Sequence, residues 1–80
     1  MEALMKIFSQ YSSHDSVNIQ SMISSGLRMI PNGKVVLITN NGDKTFADAG
    51  GNLVERGVGL QVPDGGYFHF GVERFQVTMS

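Results

Sequence analysis

The chain has 80 residues, 41% hydrophobic and 16% charged, with a formal net charge of −1 and no cysteine. That length fits one domain near the lower limit for a single apolar core. It leaves no disulfide or thiolate metal site to help, and the near-neutral balance argues against a large electrostatic footprint for nucleic acid.

So low a charged fraction on so small a body favours a buried partner surface. No apolar run approaches the length of a membrane span. The N-terminus carries Glu2 and Lys6 and no small-residue cleavage site, so neither a span nor a secretory leader is expected and the cytoplasm is the default.

A single domain, 1–80, is expected, with a helical N-terminal segment over 1–25 and an antiparallel β meander over 27–80. Leu4, Ile7, Phe8 and Tyr11 fall at i, i+3, i+4 and i+7, which predicts a helix over 2–11. A helix of about ten residues is marginal alone in water and must dock on the sheet. Ser12 to Ser16 break the pattern. Asp15 or Ser16 then caps a second short helix to about Ser25, presenting Ile19, Met22 and Ile23, although Val17 and Ile19 also alternate as a strand would. Gly26 is a C-terminal stop.

From Leu27 onward the pattern is β. Leu27 to Ile30 form a short strand, and Pro31-Asn32-Gly33 carries a hairpin signal. Val35-Val36-Leu37-Ile38 is apolar on both faces, as in a central strand covered on two sides. Asn40 to Asp43 and Ala49 to Asn52 turn the chain again. Val58, Leu60 and Val62 alternate up to the Pro63-Asp64-Gly65-Gly66 turn, Phe68, Phe70 and Val72 oppose Tyr67 and His69, and Phe75, Val77 and Met79 oppose Arg74, Gln76 and Thr78. The expected fold class is α+β, an N-terminal helix or two on a strongly twisted antiparallel sheet or partly open barrel of roughly five to six strands.

Chemistry is sparse. His14 and His69 sit in no nucleophile motif, His14-Asp15 has no third ligand placed by sequence, and the seven acids lie mainly in turns. The loops at Asn40–Asp43 and Asp48–Asn52 lack the spacing and closing Glu of a calcium loop. Gly57-Val58-Gly59 enters a strand, not the helix N-terminus that binds phosphate. No enzyme, cofactor or metal is expected.

Aromatic residues interleaved with basic ones on a strand are how small β-barrels stack bases. Tyr67-Phe68-His69-Phe70 resembles the second RNA-binding motif of cold-shock domains, and Gly33-Lys34-Val35 is similar to their first strand. The glycine-aromatic motif that lies between the two is missing. The resemblance implies stacking by Phe68, His69 and Phe70, whereas their alternation places Phe68 and Phe70 in a core. A nucleic-acid surface read from residue type alone would use Tyr67, His69, Arg74, Lys34 and Lys44.

Five methionines supply adaptable apolar surface, and an open sheet has edges to pair. Leu27 to Ile30 and Phe75 to Met79 are the expected edges. The leading expectation is a non-enzymatic protein-binding module that self-associates through a strand edge or binds through Tyr67, His69, Arg74, Gln76, Arg28 and Met29. Compact acidic domains of this kind suit an inhibitor of a host protein encoded by a phage or mobile element. The alternatives are a barrel binding single-stranded nucleic acid, or a virion structural or assembly protein.

Overall fold

The computed structural model describes residues 5–9 and 18–79. Among these residues are seven strands, β1 (Met5–Ser9), β2 (Leu27–Asn32), β3 (Val35–Asn40), β4 (Phe46–Ala47), β5 (Gly59–Pro63), β6 (Tyr67–Phe70) and β7 (Glu73–Met79), and one short helix, α1 (Ile19–Ser24). The strands form two antiparallel sheets, ordered β1-β7-β6-β4 and β2-β3-β5, and they do not close into a barrel.

Both sheets are amphipathic by period two, and their inner faces meet. Ile7, Phe46, Phe68, Phe70, Phe75, Val77 and Met79 from the four-stranded sheet pack with Leu27, Val36, Ile38 and Val62 from the three-stranded one. Phe68 lies at the centre, edge-on to Phe46 at 6.0 Å and tilted against Phe75 at 5.6 Å. Such pairs add about 0.5–1.5 kcal/mol each beyond the area they bury.

The predicted N-terminal helix on a sheet is not what the chain forms. Residues 5–9 are a strand paired with β7, with Ile7 opposite Val77 and Phe8 opposite Gln76. Ile7 and Phe8 satisfy both periods, and tertiary pairing decides between them: Ile7 is buried and Phe8 faces outward. Leu4, Tyr11, His14 and Asp15 lie outside the described residues. The second predicted helix exists as α1, six residues with Met22 buried, and its N-cap is Asn18, whose side chain accepts from the Gln20 N–H at 2.9 Å.

The meander is also corrected. β5 pairs with β3, and β6 pairs with β7 and β4, so the Pro63–Gly66 turn is a corner between the sheets. Its main chain is bonded to both. The Asp64 N–H reaches the Lys34 carbonyl at 2.8 Å, the Gly65 N–H reaches Val77 O at 2.8 Å, and the Val77 N–H reaches Gly66 O at 2.9 Å. The Met79 N–H adds a bond to the Asp64 carboxylate at 2.9 Å. β7, expected at an edge, is therefore internal, between β1 and β6.

At the end of α1 the chain passes very close to the loop after β3. Gly26 has φ +104°, and a Cβ on Gly42 would stand 2.2 Å from the Ser25 carbonyl oxygen. Only glycine fits there. Among the described residues no helix is long and apolar enough to cross a membrane.

Candidate functional surfaces

The strand register divides the predicted partner-binding residues between two outer faces. On the four-stranded sheet, Phe8, Gln76 and Tyr67 form one cross-strand row, Lys6 and Thr78 a second, and Arg74 and His69 a third. Tyr67, His69, Arg74 and Gln76 thus share one face, as their alternation predicted. The Arg74 guanidinium lies 4.5 Å from the Tyr67 ring centroid, a cation–π contact that restrains a flexible side chain. The Gln76 amide donates to the Gly65 carbonyl at 3.2 Å.

His69 Nδ1 lies 2.9 Å from the main-chain oxygen of Asp48. A carbonyl only accepts, so Nδ1 carries the proton, and Nε2 is the acceptor of the neutral ring. The nearest acid, Asp48, is occupied by its own turn. Its carboxylate accepts the N–H groups of Asn52 at 2.9 Å and Gly50 at 3.0 Å. The Asn52 bond is the main cause that holds this carboxyl below its ordinary value, with His69 a lesser one.

Phe68 and Phe70, the stacking residues implied by the cold-shock resemblance, are buried in the core instead. Lys34 lies in the β2–β3 turn on the other sheet, and the Lys44 ammonium sits 5.7 Å from the Phe70 ring, so neither joins the Tyr67 face. Phe8 and Lys6 do join it. Sequence reading had put them on a helix, and the signal that could have placed them was the weaker period-two pattern Met5, Ile7, Ser9.

Arg28 and Met29 lie on β2, apart from the other four. Arg28 faces outward beside Thr39, while Met29 turns inward beside Ile38 and packs on the core. The outer row next to Arg28 is Ile30, Leu37 and Gln61. Ile30 is 42% exposed and Leu37 36%. β3 is central, as expected, but only its Val36 and Ile38 face is covered, which leaves Leu37 outside. Leu37 folds over Gly59, where a Cβ would come within 2.9 Å of its Cδ1.

β2 is an edge. The two-residue turn Gly33-Lys34 makes Asn32 and Val35 the hydrogen-bonded pair of the hairpin. Alternation then directs the main-chain groups of Arg28, Ile30 and Asn32 to β3, and those of Leu27, Met29 and Pro31 away from it. The Asn41 N–H bond to Gly26 O at 2.8 Å continues the same alternation past Leu27. Among the described residues β2 pairs with β3 alone.

A cleft of about 350 Å³ between α1 and the β6–β7 turn is lined in part by Ser21, Met22, Lys44, Phe70 and Glu73. Glu73 there accepts a hydrogen bond from Ser9 Oγ at 2.5 Å. Among the described residues no three His, Asp or Glu side chains gather as metal ligands would. The Asn40–Asp43 loop is closed by the Asn40 side chain, which accepts from the Gly42 N–H at 3.0 Å and donates to Lys44 O at 2.8 Å. No family model matches the chain, and no curated protein or solved structure matches it.

Proposed function

We propose that the chain is a non-enzymatic protein-binding module that docks by strand addition at β2, and that the strand it takes is β2 of a second copy. The carrying observation is the juxtaposition on one sheet of a strand that pairs, among the described residues, with β3 alone and the exposed register pair Ile30 and Leu37.

The edge suits its own copy. Antiparallel pairing about Met29 sets Met29 against its counterpart and Leu27 against the counterpart of Pro31. The Met29 N–H groups then bond each other's carbonyls, and each Leu27 N–H bonds a proline carbonyl. Pro31 has no N–H to leave unsatisfied, and it stops the ladder there. On the outer face Ile30 comes beside the counterpart of Arg28, whose methylene stem covers it.

Magnitudes assign the roles. Less than half of the exposed Ile30 side chain remains to be buried, so it contributes about 1 kcal/mol. The ladder bonds add about 0.5–1.5 kcal/mol net each, and they set direction and register. An inhibitor that adds its edge to another protein's sheet would use the same groups.

Sedimentation velocity over a concentration series tests this. The wild type is expected to shift from monomer to dimer. Met29→Pro removes the outward N–H without touching the β2–β3 ladder and is expected to stay monomeric, with Ile30→Lys intermediate. A wild type that is monomeric at every concentration, or a Met29→Pro variant that dimerises as the wild type does, refutes the edge.

A further inference from the structure

The outer face of the four-stranded sheet lies outside the β2 edge and differs from it in charge. Its outward positions carry Lys6, Phe8, Tyr67, His69, Arg74, Gln76 and Thr78. None is a carboxylate, although the chain as a whole has seven acids against six basic residues. The neighbouring acids are turned to other work: Glu73 inward to Ser9, Asp48 into its own turn, and Asp64 to the Met79 N–H. Among the described residues the ion pair present is Arg56 with Asp43, remote from this face, and neither Lys6 nor Arg74 has a carboxylate partner.

A sheet that segregates cations from acids is complementary to an anion. Planar groups among those cations narrow the class. Phe8 and Tyr67 flank Gln76 in one row, about 9.6 Å apart across two strand spacings. The Arg74 guanidinium sits over the Tyr67 ring on an exposed side chain, and a guanidinium can stack on a base and donate to a phosphate. His69 offers Nε2 as an acceptor in the next row. Successive rows are about 6.8 Å apart along the strands, so cation and ring recur at short intervals, as phosphate and base do along an unpaired strand. An acidic peptide would use the cations and leave the rings idle.

We infer that this face binds single-stranded nucleic acid, with Phe8 and the Arg74-capped Tyr67 as stacking surfaces and Lys6 and Arg74 as the phosphate-neutralising cations.

The test is fluorescence anisotropy of a labelled oligothymidylate of about twenty nucleotides, titrated with the full chain across a salt series. Two neutralised phosphates predict a log–log slope near −1.4, so a tenfold rise in salt weakens binding about 25-fold. The double variant Lys6→Gln, Arg74→Gln is expected to flatten the slope with the β circular-dichroism spectrum unchanged. Phe8→Ala is expected to weaken binding at least about fivefold while keeping the slope, and Phe8→Leu, which fills the same space without a ring, serves if the alanine variant unfolds. Arg56→Gln, which alters an exposed cation paired with Asp43, should change nothing. Absence of binding at low salt overturns the inference. So does equal affinity for the matching duplex, an unaltered affinity in both Phe8 variants, or displacement of the oligonucleotide by polyglutamate at equal charge.

Discussion

The two outer faces rest on one core and follow the same alternation, yet they carry opposite chemistry. On the three-stranded sheet the outward row sets the apolar Ile30 and Leu37 beside Gln61 and ends at a strand that, among the described residues, pairs on one side alone. On the four-stranded sheet the outward rows carry rings and cations, and its longest strand, β7, is paired on both sides. The contrast teaches that period two decides only which side chains leave the core. What a face can recognise depends on the residue types at those positions and on whether its main chain is already satisfied.

The most severe way to break the comparison is to remove what both faces share. Phe68→Ala deletes the ring at the centre of the core and is expected to cost about 3–5 kcal/mol. Urea unfolding should show it, with dimerisation and oligonucleotide binding lost together. A variant that kept one face working would mean that the sheets fold independently.

Gly42→Ala acts on one side. The added Cβ meets the Ser25 carbonyl beside the start of β2, and strain of about 1–3 kcal/mol is expected. Where folding survives, dimerisation should fall more than oligonucleotide binding, and a comparison of both in one preparation measures the difference.

Smaller changes sharpen the division. Ile30→Thr suits a strand and removes exposed apolar surface, so stability should move by about 0.5 kcal/mol or less. The dimer should weaken about fivefold, equal to about 1 kcal/mol, with oligonucleotide affinity unchanged. Arg74→Gln should do the reverse. A crossed result in either variant would mean that the faces are coupled.

The smallest effect is one of pH. Asp48 is held below its ordinary value, chiefly by the Asn52 N–H, so the folded state binds its proton less readily than the unfolded chain. The stability this adds is present above the ordinary carboxylate range and disappears as pH falls through the lowered folded value. Urea midpoints of the wild type and Asp48→Ala, compared from neutrality into acid, should converge.

Strand existence was legible where one period operated alone. Phe68, Phe70, Phe75 and Val77 alternate without competition, and the structure buries all four. Ile7-Phe8 fit a helix and a strand equally, and only pairing with β7, about 70 residues away, settles them. A run such as Val35 to Ile38 reports apolarity and cannot say which neighbour is absent, so the exposure of Leu37 was invisible. The corner at Pro63–Gly66 reads as an ordinary hairpin turn, because its bonds to Lys34 and Val77 are long-range. The site was legible to the same degree. Tyr67, His69, Arg74 and Gln76 came together because they share one hairpin, whereas Phe8 and Lys6 came from a strand that local pattern concealed.

That corner has a mechanical consequence. Four amide protons, those of Asp64, Gly65, Val77 and Met79, are held by bonds that cross from the corner into a sheet, so prying the layers apart means breaking them as a set. Deuterium uptake at these positions should track global unfolding and not local fraying. The corner acts as a weld, and it gives each face a backing that does not yield.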